Sequence, residues 1–216
     1  MSLLSLLYPK QCKRCGASLR EHQHILCDQC LEDGEYYFYQ SFSMPGVDEA
    51  DAPLVYKDFV REAMHAYKFQ YRRAYADWFA RMVSDCLDGY LDGWKPDCIT
   101  FVPVSFFRWM RRGYNQSALV ARLVAQSFGL PCVRTLRKCK RTRVQSSLPH
   151  EKRMENVHGA FAVRDAATVA GRRVLLIDDV VTTGATAAAC AEALREAGAE
   201  AIFLVSMTKT PSVRRK

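Results

Sequence analysis

The chain has 216 residues, a mass of 24.6 kDa, 49% hydrophobic and 25% charged residues, and a net charge of +8. That is room for one domain and a small module, and the composition excludes collagen, coiled coil and extended disorder. No apolar run approaches the ~20 residues needed to span a bilayer.

The opening Leu3-Leu4-Ser5-Leu6-Leu7 is too short for a signal-peptide core and follows no basic segment, so a cytoplasmic chain is expected. In a reducing compartment the nine cysteines read as metal ligands or buried thiols rather than disulfides. Cys12-x-x-Cys15 and Cys27-x-x-Cys30 stand eleven residues apart. Each pair turns two thiolates toward one point, and together they complete a four-cysteine Zn2+ site joined by a tight hairpin. Two disulfides are the alternative reading. The segment is too short to bury a core, so the metal would supply the folding energy, ~10–16 kcal/mol in small zinc peptides. His22 and His24 read as surface residues, and Cys86, Cys98, Cys132, Cys139 and Cys190 as apolar fillers. The expected organisation is a knuckle over 1–34, a linker over 35–52 and a main domain over 53–216.

From residue 53 the pattern alternates. Residues 51–56 form an edge strand, and 60–89 carry apolar residues at helical spacing in two helices broken near Gln70. Residues 98–104 form a buried strand, and Asn115 to Phe128 a helix closed by Gly129 and Pro131. Arg173 to Asp178 is a second buried strand, Thr186 to Ala197 an Ala-rich helix and Ala201 to Ser206 a third strand. Strands apolar on both faces, alternating with helices, predict an α/β fold with a parallel sheet covered on both sides. Ligands of such sheets bind beyond the carboxyl ends of the strands.

Charge is concentrated. Residues 108–153 carry twelve Lys or Arg against one acid, Glu151. A block this one-sided fits a polyphosphate ligand, a nucleic-acid backbone or a solvated surface. Phe106, Phe107, Trp109 and Tyr114 interleave with its arginines, a composition suited to stacking single-stranded DNA or to a core.

After the second strand comes Asp178-Asp179-Val180-Val181-Thr182-Thr183-Gly184-Ala185-Thr186. Two adjacent acids suit the hydroxyls of a vicinal diol. The amide N–H groups of a helix start favour an anion, Gly184 lets the backbone close on it, and the threonines add donors. The sum is a site for a ribose 5-phosphate.

Residues 174–186 resemble the signature of type I phosphoribosyltransferases, which bind phosphoribosyl pyrophosphate (PRPP). The Walker B alternative lacks any GxxxxGK[ST] partner in this chain. The resemblance implies catalytic Asp178 and Asp179, holding the ribose hydroxyls of PRPP or an Mg2+ ion through water. It places Thr182 to Thr186 around the 5-phosphate and Arg111, Arg112 and Gly113 at the pyrophosphate. A hood over about 134–160 would bring Arg141, Gln145 and Arg153 to the far side. The fifth motif position, an acid in purine-salvage enzymes, is Thr182, which argues against purine activation.

The cysteine knuckle, Tyr56, Lys68, the run Arg112-Gly113-Tyr114-Asn115-Gln116, Arg141-Thr142-x-x-Gln145 and Arg153-x-x-Asn156-Val157 together resemble the ComF family of competence-associated proteins. That implies a type I phosphoribosyltransferase-like sheet behind a zinc module. The function implied is DNA uptake, with phosphoribosyl transfer to an acceptor that the motifs leave open. A glutamine-dependent reaction would need a cysteine at position 2, where Ser2 stands. The alternative is a non-catalytic protein that binds single-stranded DNA or a partner such as a competence helicase, with PRPP as a regulatory ligand.

Overall fold

The computed structural model describes residues 11–20, 23, 25–33, 41–140, 157 and 159–211. His22, His24, Arg141, Gln145 and Arg153 lie outside these.

The fold is α/β. Its sheet is parallel throughout, with strand order β1 (Glu49–Asp51), β7 (Ala201–Lys209), β6 (Arg173–Val181), β3 (Cys98–Phe101); the short β2 (Leu54–Val55) continues the β1 edge along β7. Glu49–Asp51, expected in the linker, thus belong to the sheet, in register with Phe203–Val205. The other edge, β3, is closed by a bridge between Ile99 and Cys132.

Alternation along the strands builds two cores. Leu175 and Ile177 of β6, with Phe203, Val205 and Met207 of β7, face α2 (Asp58–Phe69), α3 (Tyr75–Leu87) and α6 (Gln116–Phe128). Val174, Leu176, Ile202 and Leu204 face α7 (Ala185–Glu196) and the antiparallel hairpin of β4 (Leu136–Lys138) and β5 (Phe161–Val163). Helix α4 (Leu91–Trp94) lays Trp94 flat on Phe203, ring centres 4.9 Å apart. Each fully buried Leu, Ile or Phe here contributes about 1.5–3 kcal/mol.

The N-terminal segment does not fold apart from this core. Ile25 and Leu26 are buried in the same cluster as α2 and α3. A Gln11–Ser18 bridge closes the first cysteine turn, and α1 (Asp28–Glu32) starts inside the second pair.

Two differences from expectation position the site. Strand β6 runs on through Asp179 and Val180 to Val181, because β7 continues beside it and pairs Val181 with Lys209. The stretch after β3 is a helix, α5 (Phe106–Arg112), started by the Ser105 side chain and ended by Gly113 at φ +70°. Positive φ suits glycine, which has no Cβ to clash.

Candidate functional site

Three elements end at one place. Strand β6 brings Asp178 and Asp179, the turn Thr182-Thr183-Gly184 leads into α7, and α5 ends in Arg112. Between them lies a cleft of about 390 Å³, lined among others by Lys68, Arg108, Arg112, Lys138, Asp179 and Thr186.

The two acids differ. Asp178 is buried and accepts the Asp179 amide at 2.7 Å. Burial first, and its ionised neighbour second, push its carboxyl up to about 7. Asp179 is half-buried and receives Lys68 Nζ at 2.8 Å. Lys68 is carried by α2, whose end is locked: Tyr67 Oη donates to the Gln116 carbonyl at 3.0 Å, and Tyr114 Oη donates back to the Tyr67 carbonyl. So the residues around Lys68 and the Arg112–Gln116 turn hold one another in place.

The turn into α7 is built for close approach. Gly184 caps the helix at φ +78°, and a Cβ there would stand 2.9 Å from Met44 Cε. The first-turn amides of a 12-residue helix have no intrahelical acceptor. Ala185 N–H donates to Thr183 Oγ1 at 3.4 Å, and Thr182 is exposed. Val180, Thr182 and Thr186 line the cleft.

Arg112 is 8% exposed, donates to Gln116 Oε1 at 3.1 Å, and leaves its buried Nε without a partner. A buried guanidinium with an unused donor is suited to a charge-assisted hydrogen bond to an anion. Burial pulls its pKa down, and the nearby Asp179 opposes that. Arg111 is exposed and does not line the cleft, although its guanidinium and that of Arg112 both reach the Phe69 ring, 5.5 and 4.9 Å from its centre. Gly113 lies outside the cleft too, beside Tyr71 and Arg73. Lys68, Arg108 and Lys138, which sequence reasoning did not assign to the pyrophosphate, are the cations the fold adds.

On the far side of α5 runs a larger groove of about 780 Å³. Seven cations line it, among them Arg122, Arg134, Arg137, Lys138 and Lys140, with no acid among its described lining residues. Phe106, Phe107 and Trp109 form its aromatic wall, and they are 65%, 59% and 50% exposed.

The four sulfurs of Cys12, Cys15, Cys27 and Cys30 lie within 4.8 Å of one another, with Cys15 and Cys27 3.6 Å apart. A tetrahedral ion with bonds of about 2.3 Å asks for sulfur separations of roughly 3.8 Å, so the donor set fits zinc. Burial works against a thiolate at Cys12, but amide hydrogen bonds from Cys15, Cys27 and Arg14 outweigh it and bring the thiol down to about 6.

Residues 115–216 match the phosphoribosyl transferase domain family. Competence protein F of Haemophilus influenzae is 35% identical over 109 residues, which are 50% of this chain and 48% of that protein. The aligned part is thus about half the length of that relative. DNA utilization protein YhgH of Escherichia coli K12 is 29% identical over 208 residues, covering 92% of this chain and 84% of the relative. Competence protein ComFC of Streptococcus pneumoniae is 30% identical over 202 residues, covering 92% and 87%. With the phosphoribosyltransferase-type sheet and the four-cysteine cluster in one chain, the protein belongs to the ComF family of competence proteins.

Proposed function

We propose that the cleft binds Mg–PRPP and that the protein transfers its phosphoribosyl group during DNA uptake. Asp179 meets the ribose diol, with Asp178 behind it. The Thr182–Thr186 turn takes the 5-phosphate, and Arg112, Arg108, Lys68 and Lys138 take the pyrophosphate. The observation that carries this reading is one cleft lined by two carboxylates, by Arg112 with its unpartnered buried Nε, and by Thr182 and Thr186 of the turn. Magnesium, bound with the ligand, would offset pyrophosphate charge as it departs, and Asp179 is the acid suited to hold it through water. Catalysis would come from cations fixed around the leaving pyrophosphate while the ribose becomes cation-like. The link to DNA uptake rests on relatives named for competence and DNA utilization. The four cysteines would hold a structural zinc, and the knuckle would offer a face to a partner such as a competence helicase. We place the protein in the cytoplasm; no described helix is long and apolar enough to cross a membrane.

The test is release of pyrophosphate from labelled PRPP with DNA, nucleotides and amines as acceptors. An acceptor-dependent release that Asp179→Asn abolishes supports transfer; no release with any acceptor, equal in wild type and variant, removes it.

A second reading is favoured by the groove. Seven cations and no acid among the described lining residues, beside three exposed aromatic rings, suit a single-stranded nucleic acid. Under this reading PRPP is a regulatory ligand and the chain a DNA-binding protein.

A further inference from the structure

The cleft and the groove are not separate features. They share the wall Pro103-Val104-Ser105 and one cation, Lys138. Helix α5 stands between them, with Arg108 and Arg112 lining the cleft and Phe106, Phe107 and Trp109 lining the groove. Lys138 sits on β4 over the Phe161 ring, 5.4 Å from its centre, at the boundary of the two sites.

We propose that the two sites are antagonistic: PRPP in the cleft lowers the affinity of the groove for a single-stranded nucleic acid, through Lys138. The proposal rests on the reading of the cleft as the PRPP site and of the groove as a strand site. Two phosphates that both contact one ammonium, each at about 3 Å, stand no more than roughly 6 Å apart. That is inside the ~8 Å Debye length at physiological salt, so their repulsion is not screened away. The ammonium has donors for both, but its single charge cannot neutralise two phosphates held this close, so each bound ligand weakens the other. The groove keeps its other cations, so the strand is weakened rather than excluded. Linkage makes the effect mutual: the strand weakens PRPP by the same factor. The protein would thus let go of a strand when the metabolite fills the cleft.

The experiment follows binding of a fluorescent oligothymidylate to the full chain by anisotropy, at constant ionic strength, with and without saturating Mg–PRPP. The dissociation constant for the strand rises by at least about fivefold and then reaches a plateau as PRPP increases. Lys138→Gln weakens each ligand alone and lowers the ratio toward one, because the two phosphates are no longer drawn to a common point. Asp179→Asn, which lies in the cleft and not in the groove, moves the effect to about tenfold higher PRPP and keeps strand affinity, so the test survives if the Lys138 variant misfolds. Unchanged or tighter strand binding overturns the proposal. So does displacement that grows without a plateau, because the two would then be one site. Calorimetry with each ligand alone separates the failures. A chain that binds the strand but not Mg–PRPP sinks the cleft reading and this proposal together, whereas independent binding of both sinks the antagonism alone.

Discussion

Lys68 Nζ lies 2.8 Å from Asp179 Oδ1, with each side chain only 17% exposed. The pair joins α2 to the end of β6 across the cleft, and it keeps the charged acid neutralised beside the buried Asp178. Removing one partner of a fully buried pair costs ~3–5 kcal/mol, while exposed pairs are worth ~1 kcal/mol or less. For this partly exposed pair, Lys68→Met is expected to lower unfolding free energy by about 1–3 kcal/mol. In a double-mutant cycle by urea denaturation, adding Asp179→Asn then costs little more, because the counterion has already gone.

Metal content tests the knuckle. The purified chain should carry one zinc per molecule by elemental analysis, and Cys12→Ser should lose most of it. Because Ile25 and Leu26 pack into the main core, chelation should also lower the melting temperature of the whole protein. A chain without zinc and with intact stability would show the cysteines to be only thiols.

Asp178 sets a pH dependence of stability. Burial first and Asp179 second raise it to about 7 in the folded state, against about 4 in the unfolded chain. Between these values the folded protein holds a proton that the unfolded chain has lost, so stability from this residue falls as pH rises through the window and is level above it. Asp178→Asn should therefore raise the melting temperature at pH 8 and leave it little changed at pH 4. An equal gain at both would remove the titration from the account.

How much of this was legible varies with the kind of signal. Helix α6 was readable because its ends are local chemistry: the Asn115 side chain accepts the Ala118 amide, and Gly129 closes it at φ +64°. The turn at Thr182–Gly184 was readable for the same reason. Helix α5 was not, because Phe106, Phe107, Trp109 and Met110 are all exposed and leave no amphipathic stripe to read. Of its two last arginines only Arg112 lines the cleft, although both guanidinium groups reach the Phe69 ring. The extension of β6 to Val181 depends on β7, and the place of Lys68 on contacts to Gln116 and Tyr114, 46 or more residues along the chain; neither has a local signature.

The same holds for the groove. Arg122, Arg134, Arg137, Lys138 and Lys140 fall in the basic block, but Arg73 and Arg164 join them only through the fold. Binding of an oligothymidylate should weaken linearly in log–log salt plots. Arg122→Gln should lower the slope by about 0.7, one phosphate contact on a single strand. A slope near zero for the wild type would mean that no phosphate backbone lies there.

The account turns on what fills the cleft at Asp178–Thr186. Titration calorimetry with Mg–PRPP on the wild type and on Asp179→Asn measures it directly. One ligand per chain is expected, with an affinity loss in the variant of about tenfold or more, as for a lost hydrogen bond to a charged group. No binding to the wild type, or equal binding to both proteins, would contradict it.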